Sequence, residues 1–351
     1  MTESSEMEKV EVRDFKEIQR MLKSNSSEER VQAIHLLLKH DFPDINDLLQ
    51  EIVLTDTQIS IRELALISLI ILYPQNQMPL LKKLFNNSLE KREIRSRAIW
   101  SLSKIRTEEA FELLKVALTD KEEEVLYWAI IGSISFDDFQ EVLPSIRALL
   151  AKNRQYLIRQ SAAWTLGMCL DTKAKKILET QLLADTHPSV RLVCTSSIIR
   201  LNDITSIPVL NKSLQKDANE MVRREIAYAI GVILDYQKID SQKAESLQLK
   251  DYKTTAIRAL SKVLLRDQSY IVRRACAESL GKINDKSAVK TLINAMTMDT
   301  NQFVRCEIAK TLGILGDPNA IEILEKASRS QYRKIVEAAK HALQQLQTSS
   351  E

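Results

Sequence analysis

The sequence predicts an all-α protein, a right-handed α-solenoid (superhelix) of about ten stacked helix pairs. Three observations carry that expectation. A short pattern returns ten times: an apolar residue, usually Arg directly after it, a small residue four places on and an aliphatic one eight places on. Successive copies start 32, 33, 31, 33, 32, 32, 50, 32 and 31 residues apart, a period that belongs to helix pairs stacked on one another rather than to a closed globule. Gly numbers 6 and Pro 7 in 351 residues, as a nearly all-helical chain requires, because both residues penalise helix interiors.

The copies start at Glu29, Ile61, Ile94, Val125, Ile158, Val190, Val222, Val272, Val304 and Ile335, and the clearest are Val190-Arg191-Cys194-Ile198, Val222-Arg223-Ile226-Ile230, Val272-Arg273-Cys276-Leu280 and Val304-Arg305-Ile308-Leu312. With the start as position zero, positions zero, four and eight lie within about 80° of one another on a helical wheel and form one buried seam. Five residues before the start stands Asp56, Asp120, Asp185, Asp217, Asp267 or Asp299, with Ser24, Asn153 and Ser330 in that place elsewhere. These are capping and turn types, so each marks the entry to the second helix of its pair. An amphipathic first helix precedes it, for example 174–183, 206–214, 255–265 and 288–296. Turns such as Asn202-Asp203, Asn284-Asp285 and Gly316-Asp317-Pro318-Asn319 join one repeat to the next. Gly167, Gly231, Gly281 and Gly313 stand at position nine, where a missing side chain admits either a ligand or a neighbouring helix.

In these Asp, Val-Arg, small-residue and Leu-Gly steps the chain resembles the HEAT family, most closely the short HEAT-like repeats of phycobiliprotein lyases. The resemblance covers about residues 13–346. It implies a single solenoid, with tails over 1–12 and 347–351. It also implies that the second helices line the concave side, and it brings bilin handling and nucleic-acid binding into view as activities found on such folds.

Arg62, Arg95, Arg159, Arg191, Arg223, Arg273 and Arg305 follow their start positions, most with the Asp six residues earlier. An Arg–Asp ladder between stacked turns is the expected role; a phosphate-binding stripe is the alternative, and the acids would neutralise it. Repeat four carries Leu126 instead of Arg. The 18 extra residues of the long step fall near 235–252, are polar, and are expected to form a mobile loop. Beside it Arg223, Arg224, Arg258, Lys262, Arg266, Arg273 and Arg274 make repeats seven and eight locally basic.

Position six points about 160° away from the seam. Through the repeats it holds His35, Ile67, Trp100, Ile131, Trp164, Ser196, Tyr228, Glu278, Lys310 and His341, apolar and aromatic in the middle and polar at the end. Trp128 falls at position three of the repeat between Trp100 and Trp164, beside Tyr127. With helices 8–10 Å apart, Trp100 and Trp164 are expected about 20 Å from each other, a strip long enough for a peptide. Trp and Tyr are enriched at binding hot spots; packing over inter-repeat grooves is the competing role for the same rings. Glu63, Arg97, Gln160, Arg224 and Glu225, at positions two and three, are placed to orient a ligand by hydrogen bonds.

The chemistry of catalysis is not in evidence. His35, His40, His187 and His341 are scattered and none precedes a Glu, and no phosphate-cradling glycine loop or nucleophile elbow occurs. Among the four cysteines, Cys169, Cys194, Cys276 and Cys306, the spacing is not that of a metal site, and Cys194 and Cys276 occupy the small-residue position as buried, reduced core residues. A formal net charge of +3 from 50 basic and 47 acidic residues leaves little counter-charge for a polyanion. The polar first residues and the short apolar stretch 64–73 point to neither export nor a membrane span, hence to a cytoplasmic protein. The expected function is a non-enzymatic scaffold holding another protein or peptide on the concave face, with no cofactor and no metal. The resemblance supplies the alternatives of a bilin lyase or chaperone acting on a phycobiliprotein, or a nucleic-acid binder.

Overall fold

The computed structural model describes residues 15–39, 42, 44–235 and 247–348. Among them twenty α-helices follow one another as ten pairs. The chain divides into two compact units, Met1–Ile146 and Arg147–Glu351, and each is an α-solenoid stack. In the first unit α1 (15–22) precedes α2 (Ser27–Leu37), α3 (Ile45–Thr55) precedes α4 (Ile59–Leu72), α5 (Met78–Asn86) precedes α6 (Arg92–Ile105), and α7 (Glu108–Ala117) precedes α8 (Glu123–Ser133). The division falls within α9 (Leu143–Lys152), which leads to α10 (Tyr156–Met168). The second unit continues with α11 (Lys175–Ala184), α12 (Pro188–Leu201), α13 (Ile207–Lys216), α14 (Glu220–Ile233), α15 (Leu247–Arg266) and α16 (Tyr270–Ile283). It ends with α17 (Val289–Met298), α18 (Gln302–Leu315), α19 (Ile321–Ala327) and α20 (Arg333–Thr348).

The seam is built as the period requires. Position zero is buried from Ile61 to Ile335, position four is buried in every repeat from Ala33 to Ala339, and position eight is buried from Leu37 to Leu312. Glu29 is the exception at position zero: it is exposed, because a carboxylate in an apolar seam would lose its hydration without compensation, and Ala33, Ile34 and Leu37 form the apolar side of that helix. Leu343, at position eight of the last repeat, is half-buried. From the second repeat on, position seven is buried and small or hydroxylated, with Ser68, Ser101, Gly132, Thr165, Ser197, Ala229, Ser279, Thr311 and Ala342; Leu36 in the first repeat is half-buried.

That column explains the position-nine glycines. A Cβ on Gly167 would stand 2.9 Å from Ser197 Cα, one on Gly231 2.9 Å from Ser279 Cα, and one on Gly313 2.8 Å from Ala342 Cα. The glycines are packing sites at which the next second helix approaches, not openings for a ligand. The close approach lets the hydroxyls bond across it: Ser197 Oγ donates to Ala163 O (2.8 Å), Ser279 Oγ to Ala227 O (2.7 Å) and Thr311 Oγ1 to Ala277 O (2.9 Å).

The Arg–Asp ladder is present, but each acid belongs to the following repeat rather than standing six residues before its Arg. Arg159 Nε lies 2.6 Å from Asp185, Arg191 2.7 Å from Asp217, Arg223 2.7 Å from Asp267 and Arg273 2.6 Å from Asp299. In the first unit Arg30, hidden in the weakest copy, meets Asp56, Arg62 meets Glu90, and Arg95 meets Asp120. In the second-unit rungs Nε and Nη2 donate to the two carboxylate oxygens while Nη1 donates to the carbonyl six residues back, as Arg191 does to Asp185 O at 2.9 Å. The same Asp receives a backbone N–H two residues on, Asn219 N to Asp217 Oδ1 at 2.9 Å. The aspartates therefore close the turn after the first helix, and the second-helix N-caps lie two residues later, at Asn219 and Asn301 for example.

Two element boundaries differ from expectation. One-turn 3-10 segments at Thr172–Ala174, Ile204–Ser206 and Lys286–Ala288 precede the first helices, each opened by an Asp whose carboxylate accepts the N–H two residues on. Residues 247–252, expected to be loop, are helical, because Leu249 is buried and extends the apolar spacing of Ala256, Ile257 and Leu260 by two turns. The remainder of that loop, 236–246, lies outside the described residues, as do 1–14 and 349–351. The longer step leaves the stack intact, since Arg223–Asp267 and Ser279–Ala227 bridge it with the geometry of the other repeats.

Candidate partner-binding surface

With positions zero, four, five, seven and eight turned inward, the second helices leave positions two, three, six and ten half-buried or exposed, with Ser96 and Ser161 as buried exceptions. In the first unit Ile67 (α4), Trp100 (α6) and Ile131 (α8) are all half-buried. Trp100 sits in a cationic frame: the Arg97 guanidinium carbon lies 5.3 Å and Lys104 Nζ 5.4 Å from its ring centroid. Arg97 in turn donates to Glu63 of α4 at 3.1 Å. Each cation–ring contact is worth about 0.5–1 kcal/mol at a partly exposed site. Tyr127 and Trp128 pair edge-on, centroids 5.1 Å apart at 81°, and Tyr127 is exposed.

In the second unit Gln160 and Trp164 of α10 are half-buried. On α14, Arg224 lies 3.5 Å from Glu225, whose other oxygen accepts from Ser196 Oγ at 3.3 Å. Tyr228 is 42% exposed, with Lys282 Nζ of α16 4.1 Å from its ring centroid. Lys282 also meets Glu278 at 3.1 Å. Towards the end the row turns polar, and Lys310 and His341 border a groove of about 640 Å³ with Lys334, Glu337 and Ile314.

The structure therefore joins Glu63, Arg97 and Trp100; pairs Tyr127 with Trp128; and joins Arg224 with Glu225. The three tryptophans are neither fully exposed nor core. The basic cluster of repeats seven and eight is largely spent on acids, with Arg223 and Arg273 in the ladder, Arg224 on Glu225 and Arg274 on Glu307 at 3.2 Å. Lys104 and Lys282, both at position ten, were not singled out by the column at position six. A second aromatic row was also missed: Tyr156 stacks on His187 (3.7 Å, 14°), and Tyr270 meets Phe303 (6.1 Å), with Lys334 Nζ 5.9 Å from the Phe303 centroid. Tyr156 and Tyr270 share the place two residues before the start, so aligning that column would have found them.

Cys194 and Cys276 are buried and free, and burial pushes both thiols far up. Burial and Asp171 push Cys169 up to about 11. Among the described residues no group of three or more His, Cys, Asp or Glu is placed to hold a metal ion, and no helix is long and apolar enough to cross a membrane.

A family model described as HEAT repeats matches residues 89–167 and 257–344. No curated protein matches the sequence. Among solved structures, an engineered protein is 18% identical over 94% of this chain and 98% of its own, with a TM-score of 0.50. Kap95p in its complex with RanGDP is 8% identical over 94% of this chain and 54% of its own, with a TM-score of 0.61. The complex of CpcE and CpcF of phycocyanin lyase from Nostoc is 19% identical over 49% of this chain and 98% of its own, with a TM-score of 0.39. At these identities the likeness is one of fold.

Proposed function

We propose that this HEAT-repeat chain is a non-enzymatic scaffold that holds a peptide or protein partner on the exposed faces of its second helices. The observation that carries the reading is the framing of Trp100 and Tyr228: each ring stands outside the seam with a cation 4–6 Å from its centroid, Lys104 and Arg97 for the first and Lys282 for the second. An aromatic face beside fixed cations, with Glu63 bonded to Arg97 beside Trp100, suits an extended segment that offers an apolar side chain to the ring and backbone carbonyls or carboxylates to the cations. Kap95p, whose fold this chain resembles, is seen bound to another protein, RanGDP. The pairing of the recurrent Arg with Asp removes the charges a nucleic-acid backbone would need, which favours a protein partner over a polyanion.

The test is affinity for peptides selected on the full chain from a random display library. Trp100→Ala or Tyr228→Ala should weaken binding of the selected peptides by at least about tenfold with helical content unchanged. Selected peptides that bind both variants as tightly as the parent would refute the proposal.

A further inference from the structure

The ladder treats its two halves as a unit. Where the array omits the acid it omits the base as well, since Leu126 stands before Asn153. One rung breaks that rule. Arg305 keeps the position-one arginine, but the place that holds Asp217, Asp267 and Asp299 in earlier repeats holds Ser330. Arg305 Nε is buried and has no hydrogen-bond partner among the described residues, whereas Nε of Arg159, Arg191, Arg223 and Arg273 each donates to a carboxylate. Ser330 Oγ keeps the turn-closing half of the aspartate's work, accepting the Tyr332 N–H at 3.3 Å. Only the anion is missing.

We propose that Ser330 is a phosphorylation site and that its phosphate completes the last rung by pairing with Arg305. Ser330 lies in the partly exposed turn between α19 and α20, next to the exposed side chains of Arg329 and Lys334, so it is reachable by an enzyme and its surroundings favour an anion. In the transfer, Ser330 Oγ bonds to the γ-phosphorus of a nucleoside triphosphate bound by a protein kinase. The bond from that phosphorus to the bridging oxygen breaks, nucleoside diphosphate leaves, and the hydroxyl proton passes to the kinase's base. The phosphoester reaches one bond further than an aspartate and presents three acceptor oxygens to the guanidinium fork. The modified turn would fasten α20 to α18 as the aspartates fasten the earlier repeats, a regulatory tightening of the terminal repeat independent of the aromatic surface.

The test uses the full chain with phosphoserine installed at 330 by amber suppression, compared with the unmodified chain by hydrogen exchange read over α19 and α20. Phosphoserine should slow exchange in α20 by about tenfold when Arg305 is present, hardly at all with Arg305→Gln, and by an intermediate amount with Arg305→Lys, which keeps the charge and loses the fork. Equal slowing in all three backgrounds, or none, overturns the pairing. Phosphopeptide mapping of the chain from its own cells should find the modification. A Ser330 never phosphorylated in those cells would overturn the modification.

Discussion

At the scale of single residues the ladder aspartates do two jobs with one carboxylate, and their energetics follow from that. Asp185 is almost fully buried beside Arg159. Burial alone would raise its pKa, but hydrogen bonds from Arg159 and from the His187 N–H outweigh it and leave the carboxyl below its ordinary value. A depressed folded-state pKa means stability that is complete above the unfolded value, about 3.9, and is lost as pH falls through the lower folded value. Asp185→Asn removes the charge and leaves Arg159 with a buried, half-satisfied fork, a change expected to cost about 3 kcal/mol. Urea midpoints of parent and variant should therefore differ by the same amount at pH 7 and pH 5 and converge below about pH 4. A gap unchanged at pH 2.5 would show that the carboxylate's ionisation is not what stabilises the rung.

Individual helices meet through the glycine and hydroxyl columns, and here sequence and structure part in an instructive way. The seam and the ladder were legible because they repeat at one spacing with one chemistry. The position-seven column was not, because Ser, Thr, Ala and Gly alternate there and read as unrelated polar or small residues until the facing glycines are seen. The surface was legible one column at a time: position six located Trp100 and Tyr228 and position three located Arg97, but Lys104 and Lys282 come from position ten, the latter from the repeat after Tyr228, so no single column contains a ring and its cations. Two buried glycines behave oppositely, Gly231 at position nine and Gly132 at position seven. Gly231→Ala would place a methyl group 2.9 Å from Ser279 Cα, an overlap that only helix separation relieves. It should destabilise by about 1–2 kcal/mol despite the better helix propensity of Ala. Gly132→Ala meets only Ser103 Cβ and a Leu114 methyl at 3.4 and 3.5 Å, ordinary contact distances, so propensity wins and stability should rise by up to about 1 kcal/mol. Thermal melts in which Gly231→Ala stabilises the chain would contradict the proposed role of position nine.

For the whole chain, nearest-neighbour stacking predicts how unfolding is partitioned. In a repeat array each pair is stabilised only by its neighbours, so a missing neighbour term marks where cooperativity divides. The sequence omits both partners of one rung, Leu126 and Asn153 standing where Arg and Asp recur, and the boundary between the two compact units falls between them, at Ile146. The tryptophans report the halves separately, Trp100 and Trp128 in the first unit and Trp164 in the second. With Trp164 as the single tryptophan, Asp185→Asn should lower the urea midpoint of the fluorescence transition and Asp56→Asn should leave it in place. With Trp100 as the single tryptophan, the two substitutions should exchange effects, because Asp56 closes the rung from Arg30 in the first unit. Equal shifts at both reporters would mean that the ladder's gap does not divide the array and that all ten repeats unfold as one cooperative body.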